Sequence, residues 1–293
     1  MSLKSVLSAG LAAALSLALV GAATAAPVKI GSKNFTEQFV VAEIYALALE
    51  KAGVEVERRL NLGATLIAHS ALLNGEIDLY PEYTGTALAA VVKGELKGDE
   101  TEIYNQVKDF YEKNLKLTLL EPTKINNGYA ILTLPETAEK YKLKTLTDLG
   151  PFSKDLSFGA EGGFGDRADG LPGLKRVYDI AFKDFRIFAK LGIRYSALAN
   201  KDIDVGYGFA TDWQIADSKL AVLEDDKHLF PPYYLVPVVR QDTLAANPKI
   251  AEVLNKVSPL LTTDNVRELN AKVDRDKEEP ADVAAAFLEA NGL

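Results

Sequence analysis

The chain has 293 residues and no cysteine, which excludes disulfides, thiolate metal sites, cysteine catalysis and a lipid-modified cysteine. Its net charge of −8 is spread along the chain. With no basic stripe to neutralise phosphates, nucleic acid is not expected as a partner.

Lys4 gives a thin positive start, and Leu7 to Val20 is apolar apart from Ser8, Gly10 and Ser16. Ala23-Thr24-Ala25 is a small-x-small run. These features predict a secretory signal peptide over residues 1–26, cleaved after Ala25 or Ala26. A membrane anchor is the competing reading; the run is short and no positive cluster follows it. The rest of the chain is therefore expected to be soluble in a periplasm, without a lipid anchor.

Val28 to Gly31 predicts a strand. A helix follows from about Glu37 to Lys51, with Asn34 and Glu37 spaced as a capping box and Thr36 as an alternative cap. Its polar stripe is thin, so it should lie buried against a sheet. Its N-terminus would favour an anionic ligand group, with Lys33 beside it; a solvated Lys33 in an ordinary turn is the plainer reading. Val54 to Leu60 reads as a strand, and a second helix follows Thr65 and ends at Asn74-Gly75. Ile77 to Leu79 reads as a short buried strand, and Tyr80 to Thr86 as a loop at its end. Strands and helices alternating at this spacing predict an α/β lobe.

Ala71 to Tyr83 (ALLNGEIDLYPEY) aligns without a gap on Ala197 to Phe209 (ALANKDIDVGYGF). Asn74 falls on Asn200, Asp78 on Asp204 and Tyr83 on Phe209. The echo suggests two lobes, each offering a ring to the space between them. Helix Glu102–Lys113 and strands Leu115–Leu120 and Tyr129–Leu134 come next, with a polar loop from Glu121 to Gly128 between the strands. Leu143–Leu149 reads as a short helix led in by a threonine, and Leu156–Gly159 as a strand. A glycine-rich loop over residues 160–174 holds Arg167 between Asp166 and Asp169. Helix 173–178, strand 185–188, helix 195–200, strand 203–205 and strand 220–223 follow. Residues 230–240 return the chain to the first lobe, and helices 249–257, 263–273 and 281–289 close it. The expected lobes are 28–128 with 233–293, and 129–232.

Catalytic signals are weak. His69 and His228 have no zinc-ligand spacing, and no P-loop or dinucleotide fingerprint occurs. Asp78, Glu82, Asp204 and Asp212 are candidate paired carboxylates, but strand-end acids commonly cap loops. Tyr83, Tyr129, Phe209 and Tyr233 are left at expected lobe-facing positions. Facing rings suit a quaternary ammonium group, which has no N–H donors; packing in a core is the plainer reading. Arg167 and Lys33 are candidate holders of a carboxylate, unless Arg167 pairs only with Asp166 or Asp169.

The runs Ile30–Phe39 (IGSKNFTEQF), Leu72–Thr86 (LLNGEIDLYPEYTGT), Asp166–Leu174 (DRADGLPGL), Ala210-Thr211-Asp212 and Phe230-Pro231-Pro232-Tyr233 resemble the substrate-binding proteins of ABC importers for glycine betaine, carnitine, choline and related solutes. The resemblance covers essentially the whole mature chain. It implies an α/β, two-lobed periplasmic-binding-protein fold (type II) with two hinge crossings. It implies a binding protein and not an enzyme, with no cofactor, a quaternary-ammonium ligand, a membrane ABC permease as partner, and a monomer. By resemblance, Tyr83, Tyr129 and Tyr233 are cage walls, and Phe209 stands where a fourth tyrosine is common. Thr86 and Lys33 are polar contacts of lobe one, and Arg167 is the carboxylate anchor of lobe two. Trp213 departs from a frequent glycine, and either fills part of the cleft or packs behind it. A binding protein for choline or another small polar amine, and a secreted small-molecule hydrolase, are the alternatives.

Overall fold

The structure, a computed structural model, describes residues 26–95, 97–160, 162–188, 191–217 and 219–293. Apart from Ala26, the expected signal peptide lies outside the described residues.

Among the described residues ten strands form two five-stranded sheets. In chain order they are β1 (Val28–Gly31), β2 (Val56–Arg59), β3 (Leu79–Tyr83), β4 (Leu117–Leu119), β5 (Tyr129–Thr133), β6 (Ser157–Ala160), β7 (Asp184–Ile187), β8 (Val205–Phe209), β9 (Ala221–Leu223) and β10 (Leu235–Arg240). The sheet orders are β2-β1-β3-β10-β4 and β7-β6-β8-β5-β9. Each has a parallel triple, then an antiparallel strand that has just arrived from the other sheet, then a short partner to that strand. The chain passes between the sheets twice, and the two passages pair: Asn126 bridges Tyr234, and Asn127 N–H donates to the Tyr233 carbonyl at 3.1 Å.

The sequence echo is a structural repeat. Helix Thr65–Leu73 and β3 recur as helix Leu191–Ala199 and β8, each beginning and ending 126 residues later. The aligned aspartates repeat their bonds too. Asp78 Oδ2 accepts the Lys29 N–H and Asp204 Oδ2 accepts the Ser157 N–H, both at 2.8 Å, so each acid pins its strand to the neighbouring parallel strand, β1 or β6. These acids are loop and strand caps, the plainer of the two readings.

The expected strand limits were too early at both repeats. Tyr80 to Tyr83, expected as loop, lies in β3, and Gly206 to Phe209 lies in β8. Pro81 argued against a strand, but it faces Pro237 of β10 across an antiparallel pair, where neither ring needs an N–H. Helix Thr36–Lys51 has Phe35 as its N-cap, with no side-chain cap; the expected box through Asn34 and Glu37 does not form. Its burial is as expected. Ile44, Tyr45 and Leu49 are wholly buried among β1 and the closing helices Lys249–Val257, Thr263–Asp274 and Pro280–Ala290. Ile44 and Leu49 each contribute roughly 1.5–3 kcal/mol. The turn Ala210–Asp212 at the end of β8 docks onto helix Thr263–Asp274, where Arg267 and Asn270 donate to the carbonyls of Ala210 and Thr211.

Candidate ligand-binding site

The expected site residues fall into two adjoining groups. One is built on Tyr129, the first residue of β5. Its ring lies 5.6 Å from Phe209 in a stacked arrangement and 5.8 Å from Tyr233 edge-on. Phe164, Tyr207 and Phe230 complete the cluster around it. The Arg167 guanidinium stands 5.6 Å from the Tyr129 ring centre. Strand pairing explains the contact with Phe209, because Tyr129 and Phe209 are register partners in β5 and β8.

Tyr233 lies between Tyr129 and the run that carries Tyr83. Its hydroxyl donates to Asp169 Oδ2 at 2.6 Å, reaching the loop that follows β6. Its ring also lies against Gly85, where an added Cβ would stand 2.9 Å from the ring and 2.7 Å from the Pro232 carbonyl. Only glycine permits that approach, so Gly85 lets the run Asp78–Thr86 clasp the returning chain. Thr84 completes the clasp by accepting the Tyr234 N–H at 3.1 Å. Thr86 lies half-buried in the adjoining helix Thr84–Ala87.

The second group holds Lys33 and Tyr83. Lys33 is buried, not solvated, and its ammonium pairs with Glu82, whose side chain is 0% exposed. Glu82 also accepts the Tyr80 hydroxyl at 2.8 Å and the Tyr83 N–H at 2.6 Å. Lys33 Nζ stands 5.0 Å from the Tyr83 ring centre. The Tyr83 hydroxyl donates to Glu37 Oε1 at 2.6 Å, and the ring stacks on Phe35.

Glu37 was expected only as a helix cap; it is the hub between the sheets. Its carboxyl accepts from Tyr83, from Asn127 at 3.1 Å and from Asn270 at 3.3 Å, and it bonds the Thr211 side chain. Burial outweighs these bonds and raises its pKa. A glutamate on the apolar face of a nearly all-buried helix was the signal available for it. Asp212 is its counterpart beyond β8, accepting the Phe209 N–H at 2.7 Å and the Tyr195 hydroxyl at 2.9 Å. Burial above all, with the Glu37 charge adding to it, lifts Asp212 to about 7.

Arg167 forms a two-pronged pair with Asp169, at 2.8 and 2.6 Å. It is therefore paired within its own loop as well as placed against Tyr129. Arg275, at the end of helix Thr263–Asp274, stands 5.8 Å from the Trp213 ring centre, which places Trp213 beside the closing helices. His69 packs on Tyr111 inside its helix, and His228 is an exposed turn residue. An open groove of about 670 Å³ separates Ala89, Ala90 and Lys93 from Arg167, Asp169 and Arg176. It reaches the edge of the ring cluster without including Tyr83, Tyr129 or Phe209.

Two α/β lobes joined by two passages, with rings and paired charges where they meet, define a two-lobed solute-binding protein of the type II periplasmic-binding class. More particularly, the substrate binding domain of ABC-type glycine betaine transport systems matches residues 26–290, and the chain belongs to that family. It is thus a transport binding protein and not an enzyme. A Pseudomonas aeruginosa glycine-betaine-binding protein is 34% identical over 285 residues, covering 93% of this chain and 90% of that one. The Helicobacter pylori ergothioneine transport permease/ergothioneine binding protein EgtU is 34% identical over 284 residues. That match takes 97% of this chain but 51% of the Helicobacter protein, so the chain spans about half its length. A solved glycine betaine/carnitine/choline ABC transporter structure superposes with a TM-score of 0.80 at 32% identity, covering 90% of this chain and 98% of that one.

Two predictions follow from the buried acids. Lys33→Met should destabilise the protein by about 3–5 kcal/mol, because Glu82 is left buried and unpaired. The double variant Lys33→Met with Glu82→Met should recover much of that loss in denaturant unfolding. Asp212 is raised in the folded state, so its contribution is full below the unfolded carboxylate range and is lost as pH rises through about 7. Melting should accordingly show Asp212→Asn gaining on the wild type at pH 8 and losing that gain near pH 4.

Proposed function

We propose that the protein captures glycine betaine, or a related quaternary-ammonium compound, between its lobes and delivers it to a membrane ABC permease. The observation that carries this reading is the Tyr129 ring set against Phe209 and Tyr233, with Arg167 beside it. A quaternary ammonium ion offers no N–H, so ring faces and dispersion must hold it, and converging rings supply both. Relatives named for glycine betaine support the same ligand class.

In this reading Tyr83, Tyr129 and Tyr233 are cage walls, and Phe209 gives a fourth face without a hydroxyl. Arg167 keeps donors beyond those spent on Asp169 and holds the ligand carboxylate. Lys33 keeps N–H groups beyond the one given to Glu82, and Thr86 adds a hydroxyl on the same side. In the same reading lobe one comprises 28–128 and 233–293, and lobe two 129–232; the membership of the two sheets supports this division. Closure excludes water and strengthens the charged contacts. The chain acts as a monomer in the periplasm after cleavage of residues 1–26. Among the described residues no helix is long and apolar enough to cross a membrane.

Calorimetry on ligand-stripped protein should show saturable 1:1 binding of glycine betaine. Tyr129→Ala and Tyr233→Ala should each weaken it roughly tenfold or more, given the worth of a desolvated cation–ring contact. Arg167→Ala should weaken betaine far more than choline. Equal losses for the two ligands would remove the anchor role, and absence of binding by glycine betaine, carnitine and choline alike would overturn the reading.

A further inference from the structure

One buried charge outside these assignments has no counter-ion in contact among the described residues. Arg194 is 4% exposed, and its Nε and Nη1 have no hydrogen-bond partner. Arginine stays protonated in a protein, so burying it unpaired is strongly unfavourable. Its guanidinium carbon stands 4.0 Å from the Tyr207 ring centre, and that contact recovers only part of the cost. Asp212 feels its charge but forms no ion pair with it; one oxygen, Oδ2, accepts both the Tyr195 hydroxyl and the Phe209 N–H.

The position of this arginine is informative. It lies in the first turn of helix Leu191–Ala199, which follows β7. Strands β7, β6 and β8 are parallel, so the helix begins at the sheet edge where β8 ends in Phe209. The Tyr207 ring that Arg194 covers stands edge-on to Tyr129 at 5.2 Å and to Phe209 at 5.7 Å. Arg194 is thus one ring away from the cluster proposed to hold the ammonium group. The two cations expected to hold a carboxylate arrive neutralised, Lys33 by Glu82 and Arg167 by Asp169. Arg194 does not.

We infer that Arg194 is a second anion anchor of the cleft, acting with Arg167 to dock the carboxylate of a zwitterionic quaternary-ammonium ligand on its unused N–H groups. The inference rests on the proposed binding of the ammonium at the Tyr129 cluster. It gives the site a preference: compounds carrying a carboxylate satisfy Arg194, and choline leaves it unpaired. Access requires the lobe opening proposed above, which has to break the bonds from Arg267, Asn270 and Glu37 to the turn Ala210–Asp212.

The test is titration of ligand-stripped wild type, Arg194→Met and Arg194→Lys with glycine betaine and choline, with melting of each unliganded protein. Arg194→Met should weaken betaine roughly tenfold to a hundredfold and choline by less than about threefold. The unliganded Met variant should melt no lower than wild type, since it sheds an unpaired buried charge. Arg194→Lys keeps the charge without the fork and should show an intermediate loss, which decides the matter if the Met variant does not fold. A propping role for Tyr207 predicts instead a lower melting temperature and equal losses for both ligands, and that result overturns the inference. Unchanged betaine affinity in both variants also overturns it while leaving the broader reading intact. A wild type that binds neither ligand overturns both.

Discussion

Buried carboxylates hold four tyrosine hydroxyls of this protein, and through them the ring faces. Tyr83 is tied to Glu37, Tyr233 to Asp169, Tyr80 to Glu82 and Tyr195 to Asp212. Each bond fixes a ring that would otherwise turn about its own axis and slide. Each also satisfies an acid that would be costly to bury alone. Burial and the neighbouring acid together drive the Tyr83 and Tyr233 hydroxyls well above their ordinary range, so they remain donors at any working pH. Several acids just behind the rings also make the junction a place where positive charge is welcome.

Two of these acids also tie the lobes together, so ring orientation and lobe closure are one problem. Tyr233 belongs to the returning passage yet bonds the loop after β6; Glu37 belongs to the first helix yet bonds Thr211 beyond β8. The duplicated unit explains the symmetry of the arrangement. Helix, strand and strand-pinning aspartate recur 126 residues apart, and each copy ends in a ring, Tyr83 or Phe209. The copies then diverge. Tyr83 keeps a hydroxyl bonded to an acid, whereas Phe209 has only its backbone N–H bonded to Asp212.

Much of this was legible in the amino-acid order. Residues 71–83 and 197–209 announced two lobes, because a helix, a turn and a strand in the same register leave a visible pattern even at low identity. The rings that meet were readable because aromatics beside prolines and glycines at strand ends have few places to go. The strand limits were not readable, since Pro81 reads as a breaker until Pro237 is placed opposite it. Partner choice was the larger gap. Lys33 and Arg167 show their charge in the sequence, but nothing local says that Glu82 and Asp169 claim them first. Glu37 looked like a cap because its partners lie 46, 90 and 233 residues away.

The central claim is that a quaternary ammonium group is held where the Tyr129, Phe209 and Tyr233 rings converge. The most direct measurement is a crystal structure of the protein grown with glycine betaine. The account predicts the trimethylammonium within about 6 Å of those ring centres, which is cation–π range, with the carboxylate turned toward a lobe-two guanidinium. Betaine bound elsewhere, with its methyl groups against none of these rings, would contradict it.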